Sequence, residues 1–454
     1  MGKEKSSKKI IKKEKSFSEY HEPVNFRDTW RVFKIMAEFV EGYQFLSKLE
    51  GEVTFFGSAR TKPGTKNYEA ARKLAFLLGK TKHTIITGGG PGIMEAANKG
   101  AFEAKAESVG LNIQLPMEQV LNKYVTKSRG FHYFFTRKVM LTSPSQAFVI
   151  FPGGFGTLDE FLEVIDYMEL GKMDKVPVVL YNSEYWKPFI DFLREYGMKK
   201  IGSISEEIFS LFKIVDKVED AFEIIKPTKE RPFFSDLSPT QFSSGEAANW
   251  RVFRIMAEMV EGFEFVSGLT NDITILGTKS IGVGTKYYDL AYKLANRLGQ
   301  DGYTIITGGG PGIMEAANKG ASEAKAMSVS LGIRFDHTVR INPYVNKSLN
   351  FFFPFIRKLI VTAPSLAFVV FPGGIGTLHQ TFELLTLVQT KKMSKMPIIL
   401  IDSDYWGPLD KFIREFLGKK FKTISPEDIG CYQMVDDIDK AYEIIKKSPP
   451  KKMI

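Results

Sequence analysis

An 18-residue segment occurs twice in the chain without a single difference. The sequence TIITGGGPGIMEAANKGA occupies Thr84–Ala101 and again Thr304–Ala321, an offset of 220 positions from residue 84 to residue 304. At the same offset, FPGG at Phe151–Gly154 recurs at Phe371–Gly374. A repeat of this length is a whole domain, not the unit of a short-period solenoid. The sequence therefore predicts two tandem domains of one fold.

Composition and the repeat together set the predicted boundaries. Residues 1–24 form a basic segment, with seven lysines and two glutamates in the first 15 residues, and we expect a disordered tail. Its MGKEKS start also fits the loose pattern for N-myristoylation, although such short patterns often match by chance. The first domain is predicted at 25–230 and the second at 246–447. The linker between them, 231–245, is rich in Pro, Ser and charge.

Short β-branched or aromatic runs alternate with helical stretches in the first repeat. We predict strands at 53–56, 84–87, 108–113, 147–151 and 176–181, and helices at 30–46, 68–78, 92–106, 131–144 and 157–170. This alternation is typical of βαβ units. The predicted fold class is α/β, with two tandem Rossmann-like domains, each a mostly parallel sheet with helices on both faces.

Composition also limits the class of protein. The five histidines do not have metal-ligand spacing, and Cys431 is the single cysteine, so we expect no metal, no cofactor and a reducing compartment. No apolar run reaches the roughly 20 residues that span a bilayer. Half of the formal charge of +10 comes from the tail, so nucleic acid is not an expected partner. We predict a soluble, cytoplasmic protein without a membrane span.

A first glycine-rich turn follows the strand at 84–87 and opens a helix. The residues concerned are Gly88, Gly89, Gly90, Gly92 and Met94. Glycines let the backbone approach a ligand, and a helix N-terminus favours an anion. Close packing of a strand against a helix also requires glycine, so this turn alone favours nucleotide binding and a structural role equally.

A second turn of the same kind carries more chemical information. It contains Gly153, Gly154, Gly156 and Thr157, and two carboxylates follow. Backbone amides and the Thr157 hydroxyl could hold a phosphate, and Glu160, about one turn further, would point to the same crevice beyond the strand ends. We interpret Asp159 as a residue that complements the helix dipole.

Two cations interrupt the apolar helix predicted at 131–144. The Arg137 guanidinium could hold a phosphate or a carboxylate with two hydrogen bonds, and Lys138 follows it. A pair of solvated side chains with buried stems explains the same spacing equally well. Spacing alone leaves both interpretations open.

The segments GGGPGIMEAANKGA, TRKVM and PGGFGTLDE together resemble the LOG family, whose members were once called lysine-decarboxylase-like and whose signature is PGGxGTxxE. The resemblance covers 26–225 and 246–445. It implies hydrolysis of the N-glycosidic bond of AMP or a cytokinin riboside monophosphate. It also implies Glu160 and Arg137 as catalytic residues. The nucleotide-binding residues implied are Gly57, Ser58, Arg60, Gly88, Gly89, Gly90, Gly92, Met94, Lys138, Gly153, Gly154, Gly156 and Thr157.

The second repeat departs from the signature where it matters most. Gln380 stands in place of Glu160, and His379 in place of Asp159, while Glu383 matches Glu163 and is a poor substitute. We expect a degenerate second site, made of Arg357, Gly373, Gly374, Gly376, Thr377 and Gln380. LOG-like enzymes are commonly dimers, so the resemblance implies a pseudo-dimer within the chain, and homo-oligomers remain open.

Two functions remain open from the sequence. The first is a phosphoribohydrolase that acts on a nucleoside monophosphate in the first domain. The second is a sensor that binds such nucleotides without hydrolysing them, which the unchanged glycine turn in both repeats favours. A decarboxylase dependent on pyridoxal phosphate needs a Schiff-base lysine with a supporting constellation, and none is visible.

Overall fold

The computed structural model describes residues 26–113, 121–229, 244–269, 271–334 and 341–448. The predicted tail, 1–24, lies outside the described residues, and so does most of the predicted linker. The last two linker positions, 244 and 245, already belong to the first helix of the second domain. The other domain boundaries stay predictions.

The first domain is built on a seven-stranded, fully parallel sheet in the order β4-β3-β2-β1-β5-β6-β7. Its strands are β1 Glu52–Phe56, β2 Thr84–Thr87, β3 Ser108–Ile113, β4 Lys127–Phe131, β5 Ala147–Ile150, β6 Val178–Tyr181 and β7 Lys213–Val215. Its α-helices are α1 Phe26–Leu46, α2 Lys66–Lys80, α3 Ile93–Glu103, α4 Phe134–Thr142, α5 Phe155–Glu169, α6 Ser183–Phe192 and α7 Val218–Ile225. A π-helical segment, Leu193–Lys200, continues α6.

The second domain repeats this order as β11-β10-β9-β8-β12-β13-β14. Its strands are β8 Asp272–Leu276, β9 Thr304–Thr307, β10 Ser328–Ile333, β11 Lys347–Phe351, β12 Ala367–Val370, β13 Ile398–Ile401 and β14 Gln433–Val435. Its α-helices are α8 Ser244–Ser267, α9 Lys286–Gln300, α10 Ile313–Glu323, α11 Pro354–Thr362, α12 Ile375–Gln389, α13 Ser403–Phe412 and α14 Ile438–Lys446. The α/β class with two Rossmann-like domains is confirmed.

The strands that the sequence predicted are the buried central ones. β1, β2, β5 and β6 are buried along their whole length, as expected for apolar strands covered by helices on both faces. The outer strand β4, with the sequence KSRGF, is mostly exposed and was not predicted. It takes Phe131 from the predicted helix 131–144, of which α4 keeps only the middle part. Polar edge strands carry little periodic signal.

The two domains pack against each other through equivalent helices. α5 lies against α12 and α1 against α8. Aromatic rings meet across this interface, with centroids 6.1 Å apart for Phe155 and Phe382 and 5.6 Å apart for Phe39 and Phe355. One hydrophobic core cluster contains residues of both domains. The chain therefore forms a pseudo-twofold pair of domains with a shared core.

Within the part of the chain that the structure describes, every helix is too short or too polar to cross a bilayer.

Candidate active site

The candidate site lies where the strand order of the first sheet reverses. β1 and β5 are neighbours, and the chain continues from them toward opposite edges of the sheet. Ligand crevices form outside the carboxyl ends of strands at such a point. The three glycine turns that follow β1, β2 and β5 meet there. Ser58 N donates to Pro152 O at 3.1 Å, and Ile93 N donates to Ser58 O at 3.1 Å, so the turns are joined by hydrogen bonds.

Packing alone requires glycine at two positions of these turns. Gly92 has φ +74°, and a Cβ there would lie 2.3 Å from Ser58 O. A Cβ on Gly153 would lie 2.0 Å from Thr157 Oγ1. The equivalent Gly312 and Gly373 have the same constraints, at 2.5 and 2.2 Å. Their retention in the second domain therefore follows from the fold and does not require a ligand there.

Polar side chains that the sequence analysis missed, buried or partly buried, hold the turns in place. Asn122 Nδ2 donates to Gly89 O at 3.1 Å, to Gly90 O at 3.0 Å and to Asn98 Oδ1 at 2.9 Å. Tyr185 Oη donates to Gly153 O at 2.7 Å. These three side chains recur as Asn318, Asn342 and Tyr405 in the second domain. Polar identity across the repeat was the signal that could have found them.

Arg137 and Glu160 come together from α4 and α5. Arg137 Nη2 lies 3.7 Å from Glu160 Oε1, and the two side chains are 14% and 6% exposed. Within the described residues, Arg137 Nε and Glu160 Oε2 are buried and form no hydrogen bond. Buried polar atoms are normally paired, so these two atoms are ready to bind a polar ligand group. The structure thus brings together both predicted catalytic residues.

Arg137 also reaches the turn that follows β2. A Cβ on Gly88 would lie 3.1 Å from Arg137 Nη1 and 2.8 Å from Met94 Sδ. Since Glu160 follows the turn after β5, the pair connects two of the three glycine turns. The predicted residues of the β2 turn and the predicted residues of the β5 turn therefore meet at the same end of the sheet.

Burial shifts the pKa values of Glu160 and Arg137. Desolvation raises the pKa of Glu160 to about 8, although the Lys138 ammonium and the Arg137 guanidinium oppose it. Desolvation also lowers the pKa of Arg137, and Glu160 and Asp159 oppose that shift. A carboxyl group that titrates near neutral pH is suited to exchange a proton during a reaction.

Lys138 lies deeper, in a buried ion-pair cluster. Its Nζ is 2.8 Å from Asp159 Oδ2 and 3.0 Å from Glu163 Oε2. Asp159 is fully buried, so it acts as the partner of Lys138 and not mainly as the helix-dipole residue that the sequence suggested. A lysine with two carboxylates beside it is poorly placed for a phosphate, and the predicted nucleotide contact of Lys138 stays untested.

The second domain borders the first site at three points. Arg60 Nη2 lies 3.8 Å from Asp428 Oδ2. A Cβ on Gly154 would lie 2.9 Å from the Thr423 carbonyl oxygen. Lys392 Nζ donates to the carbonyl oxygen of His132, just before α4, at 3.2 Å. No sequence pattern pointed to these contacts, because they join residues far apart in the chain.

In the equivalent pair of the second domain, the two side chains are hydrogen-bonded to each other. Arg357 Nη1 donates to Gln380 Oε1 at 2.5 Å, and Arg357 Nε donates to Leu331 O at 2.8 Å. The side-chain atoms that lack partners in the first site therefore have partners in the second. This difference supports the predicted degeneracy of the second site, which no comparison tests.

The repeat also appears in comparisons with known proteins. A family model described as possible lysine decarboxylase matches residues 94–225 and 314–445, more than half of the chain. The chain belongs to this family, the LOG family. Each match ends in the last helix of a domain, so both domains are members.

Individual relatives match one domain's length. A cytokinin riboside 5′-monophosphate phosphoribohydrolase of Rhodococcoides fascians is 25% identical over 177 residues, 38% of this chain and 88% of that enzyme. A pyrimidine/purine nucleotide 5′-monophosphate nucleosidase of Escherichia coli is 30% identical over 180 residues, 36% of this chain and 38% of that enzyme. The molybdenum cofactor carrier protein of Chlamydomonas reinhardtii is 20% identical over 39% of this chain and 97% of its own, with a TM-score of 0.30. A TM-score this low supports no argument about either protein.

Proposed function

We propose that the first domain hydrolyses the N-glycosidic bond of a nucleoside 5′-monophosphate and releases the free base and ribose 5-phosphate. The buried Arg137–Glu160 pair carries this proposal, because it places a cation beside a carboxyl group of raised pKa at the switch point of the sheet. The names of the relatives, a phosphoribohydrolase and a nucleosidase, support a LOG-like nucleotide hydrolase at the coarser level.

The phosphate of the substrate would bind at the start of α5. Gly154 is the N-cap residue of α5 and supplies no side-chain hydrogen bond to the first turn of the helix. A helix N-terminus favours an anion, and the Thr157 hydroxyl lies beside Gly153. Glu160 follows one turn later, which suits a ribose held between the phosphate turn and the carboxyl group.

The reaction places positive charge on the sugar as the base leaves. The C1′–N bond breaks, and the departing base takes up a proton. A water oxygen forms the new bond to C1′ and gives a proton to the Glu160 carboxylate, which passes it to the departing base, so that one water supplies the hydroxyl group on C1′ and the hydrogen on the base. The same carboxylate offsets the charge that develops on C1′. Arg137 would orient Glu160 and favour its ionised form, since a nearby cation lowers the pKa of a carboxyl group.

In our proposal the substrate is AMP or an N6-modified AMP, and the released base is adenine or an N6-modified adenine. The name of the E. coli relative includes pyrimidine nucleotides, so the test panel must contain both classes. In the second domain the neutral Gln380 amide, held by Arg357, cannot offset the same charge, and we propose that this site does not turn over.

A nucleotide sensor is the second candidate function. The observation that favours it is the complete set of glycine turns in both domains, although the packing described above explains most of it. A sensor needs binding without hydrolysis, and the closed Arg357–Gln380 pair in the second domain would fit that role.

Release of free base, measured by chromatography over a panel of purine and pyrimidine nucleoside 5′-monophosphates, tests the proposal. We expect the wild-type protein to release base and ribose 5-phosphate, and Glu160→Gln to lose at least two orders of magnitude in kcat. Arg137→Lys should lose activity, whereas its counterpart Arg357→Lys in the second domain should not. Nucleotide binding without base release from any substrate would favour the sensor.

A further inference from the structure

α5 and α12 meet at the pseudo-twofold axis. Each contact between the two helices therefore has a counterpart in which the two helices exchange roles. A Cβ on Gly376 would lie 3.2 Å from Asp166 Oδ1, and a Cβ on Gly156 would lie 3.6 Å from Thr386 Cγ2. Asp166 and Thr386 are equivalent residues at the repeat offset. The interface therefore has two halves of the same geometry, and their side chains can be compared directly.

In one half, an imidazole lies between a lysine and a carboxylate, and it also borders the other half, since His379 Nε2 is 3.8 Å from Asp159 Oδ1. His379 Nε2 is 2.9 Å from Lys358 Nζ, and His379 Nδ1 is 2.8 Å from Asp166 Oδ2. An ammonium group only donates, so Nε2 must accept, and the Nδ1–H group donates to Asp166. Desolvation and the two nearby lysines, Lys358 and Lys138, lower the pKa of His379, which agrees with a neutral ring.

In the other half, a carboxylate occupies the equivalent of the imidazole position. Asp159 Oδ2 pairs with Lys138 Nζ at 2.8 Å, as His379 pairs with Lys358. Thr386 is the equivalent of Asp166 at the repeat offset. Within the described residues its hydroxyl forms no hydrogen bond, so it does not bond to Asp159 as Asp166 bonds to His379. One pair of equivalent positions thus holds a carboxylate, Asp166, with the imidazole of His379, and the other holds the carboxylate of Asp159 with the neutral side chain of Thr386.

Other pairings of the domains would break this arrangement. Two first domains would place Asp159 opposite Asp166 in both halves, two buried carboxylates that repel each other. Two second domains would place His379 opposite Thr386 and remove the carboxylate that accepts the Nδ1–H bond. Leaving a buried group without its partner is strongly destabilising.

We propose that the residue pairs 379/166 and 159/386 are a pairing code, through which the α5 face of the first domain accepts the second domain and rejects another first domain. The partner that this surface fits is therefore a domain with a neutral donor at the position of His379. This inference needs no catalytic activity and stands apart from the proposed function.

The charge balance of the interface supports the code. Glu163 Oε2 lies 3.0 Å from Lys138 Nζ, and Glu163 Oε1 lies 3.5 Å from Lys358 Nζ, so one carboxylate already uses both lysines. Burial raises the pKa of Asp159 and of Asp166 to about 7 in spite of these cations. A further carboxylate at position 379 would find little positive charge to offset it.

A double-mutant cycle in the full-length chain tests the pairing code. The variants are His379→Asp, Asp166→Thr and the combination of both, and the measurement is the midpoint of thermal unfolding at pH 8. His379→Asp alone places two carboxylates opposite each other, and we expect the midpoint to fall by about 5 °C or more. The combined variant removes the Asp166 carboxylate and keeps Asp159 near position 379, so we expect it to recover a clear part of that loss.

The two outcomes separate clearly. The effect of His379→Asp on the midpoint is compared in the wild-type chain and in the Asp166→Thr variant. If the midpoint falls equally in both, the two positions are not coupled and the code is wrong. If His379→Asp alone does not fold, the combined variant decides, because the code requires it to fold and a second failure overturns the idea. A parallel cycle with Thr386→Asp and Asp159→His should show the same coupling in the other half.

Discussion

At the scale of single residues, the fold buries carboxyl groups whose ionisation it disfavours. Burial raises the pKa of Asp159 and Asp166 to about 7 and that of Glu160 to about 8, from ordinary values of 3.8 and 4.5. Each group holds its proton more tightly in the folded than in the unfolded chain. Their favourable contribution to stability is therefore complete below the ordinary values and is lost as the pH rises through 7 to 8.

Replacement of Glu160 by a neutral isostere should relieve this cost only at high pH. We expect Glu160→Gln to unfold at a higher temperature than the wild type at pH 9, and the difference to shrink toward pH 5, where Glu160 is protonated in the fold. Differential scanning calorimetry at both pH values measures it. Glu195→Gln, on an exposed side chain, is the control. An equal shift at pH 5 and pH 9 would contradict a raised pKa.

At the scale of elements, α1 fixes the start of the helix that carries Arg137. Glu38 accepts hydrogen bonds from His132 N at 2.6 Å, from Tyr133 N at 3.3 Å and from Thr136 Oγ1 at 2.6 Å. These donors lie at the N-terminal end of α4, where backbone N–H groups lack partners within the helix. Glu258 of α8 makes the equivalent bonds, to Phe352 N and Phe353 N.

Removal of this carboxylate should impair catalysis through the position of Arg137. We expect Glu38→Ala to lower kcat by roughly tenfold to a hundredfold, because a small displacement of a catalytic group is costly. Glu258→Ala removes the same cap in the second domain and should cost similar stability, about 1 kcal/mol, without an effect on kcat. Equal losses of kcat in both variants would mean that the cap acts through global stability alone.

At the scale of the whole molecule, the two domains share one hydrophobic core. The hydrophobic cluster that contains Phe155 and Phe382 includes residues of both domains. The second domain also contacts the turn before α4 through Lys392. The equivalent lysine, Lys172, donates to a different acceptor, Arg334 O, at 3.1 Å. The second domain therefore acts as a structural support of the first site, whatever it binds itself.

A shared core predicts that the domains unfold together. Phe382→Ala, at a fully buried ring, should destabilise the whole chain by about 3–5 kcal/mol and leave a single calorimetric transition. Phe102→Ala, at a ring that is 51% exposed, is the control and should have a small effect. Two separate transitions in Phe382→Ala, with one at the wild-type temperature, would refute a common core.

The cross-domain lysines predict an asymmetric effect on activity. Lys392→Met removes the donor to His132 O beside α4, and we expect kcat/KM to fall several-fold. Lys172→Met removes the equivalent donor on the side of the second domain and should leave kcat/KM at the wild-type value. Steady-state kinetics of both variants decide the matter, and a matched loss in both would argue against a support role for the second domain.

Several sequence predictions remain predictions. The cytoplasmic location, the absence of a nucleic-acid partner and any homo-oligomer are not tested by the contacts within this chain. The roles of the nucleotide-binding residues, from Gly57 and Ser58 to Thr157, rest on the meeting of their turns at one end of the sheet. Arg60 is half exposed and lies near Asp428 of the second domain.

The sequence by itself determined the duplicated α/β fold, the central strands and the glycine turns, because these features depend on local patterns of apolar runs and glycine positions. Arg137 and Glu160 were implied by the family resemblance, and their contact joins two different helices, so the tertiary structure brings them together. Tertiary structure alone decided the polar edge strand β4, the burial of Lys138 between two carboxylates, the Glu38 cap and the pairing of α5 with α12. Those features depend on contacts between residues far apart in the chain, and the energies of burial and ion pairing that create them have no periodic trace in the sequence.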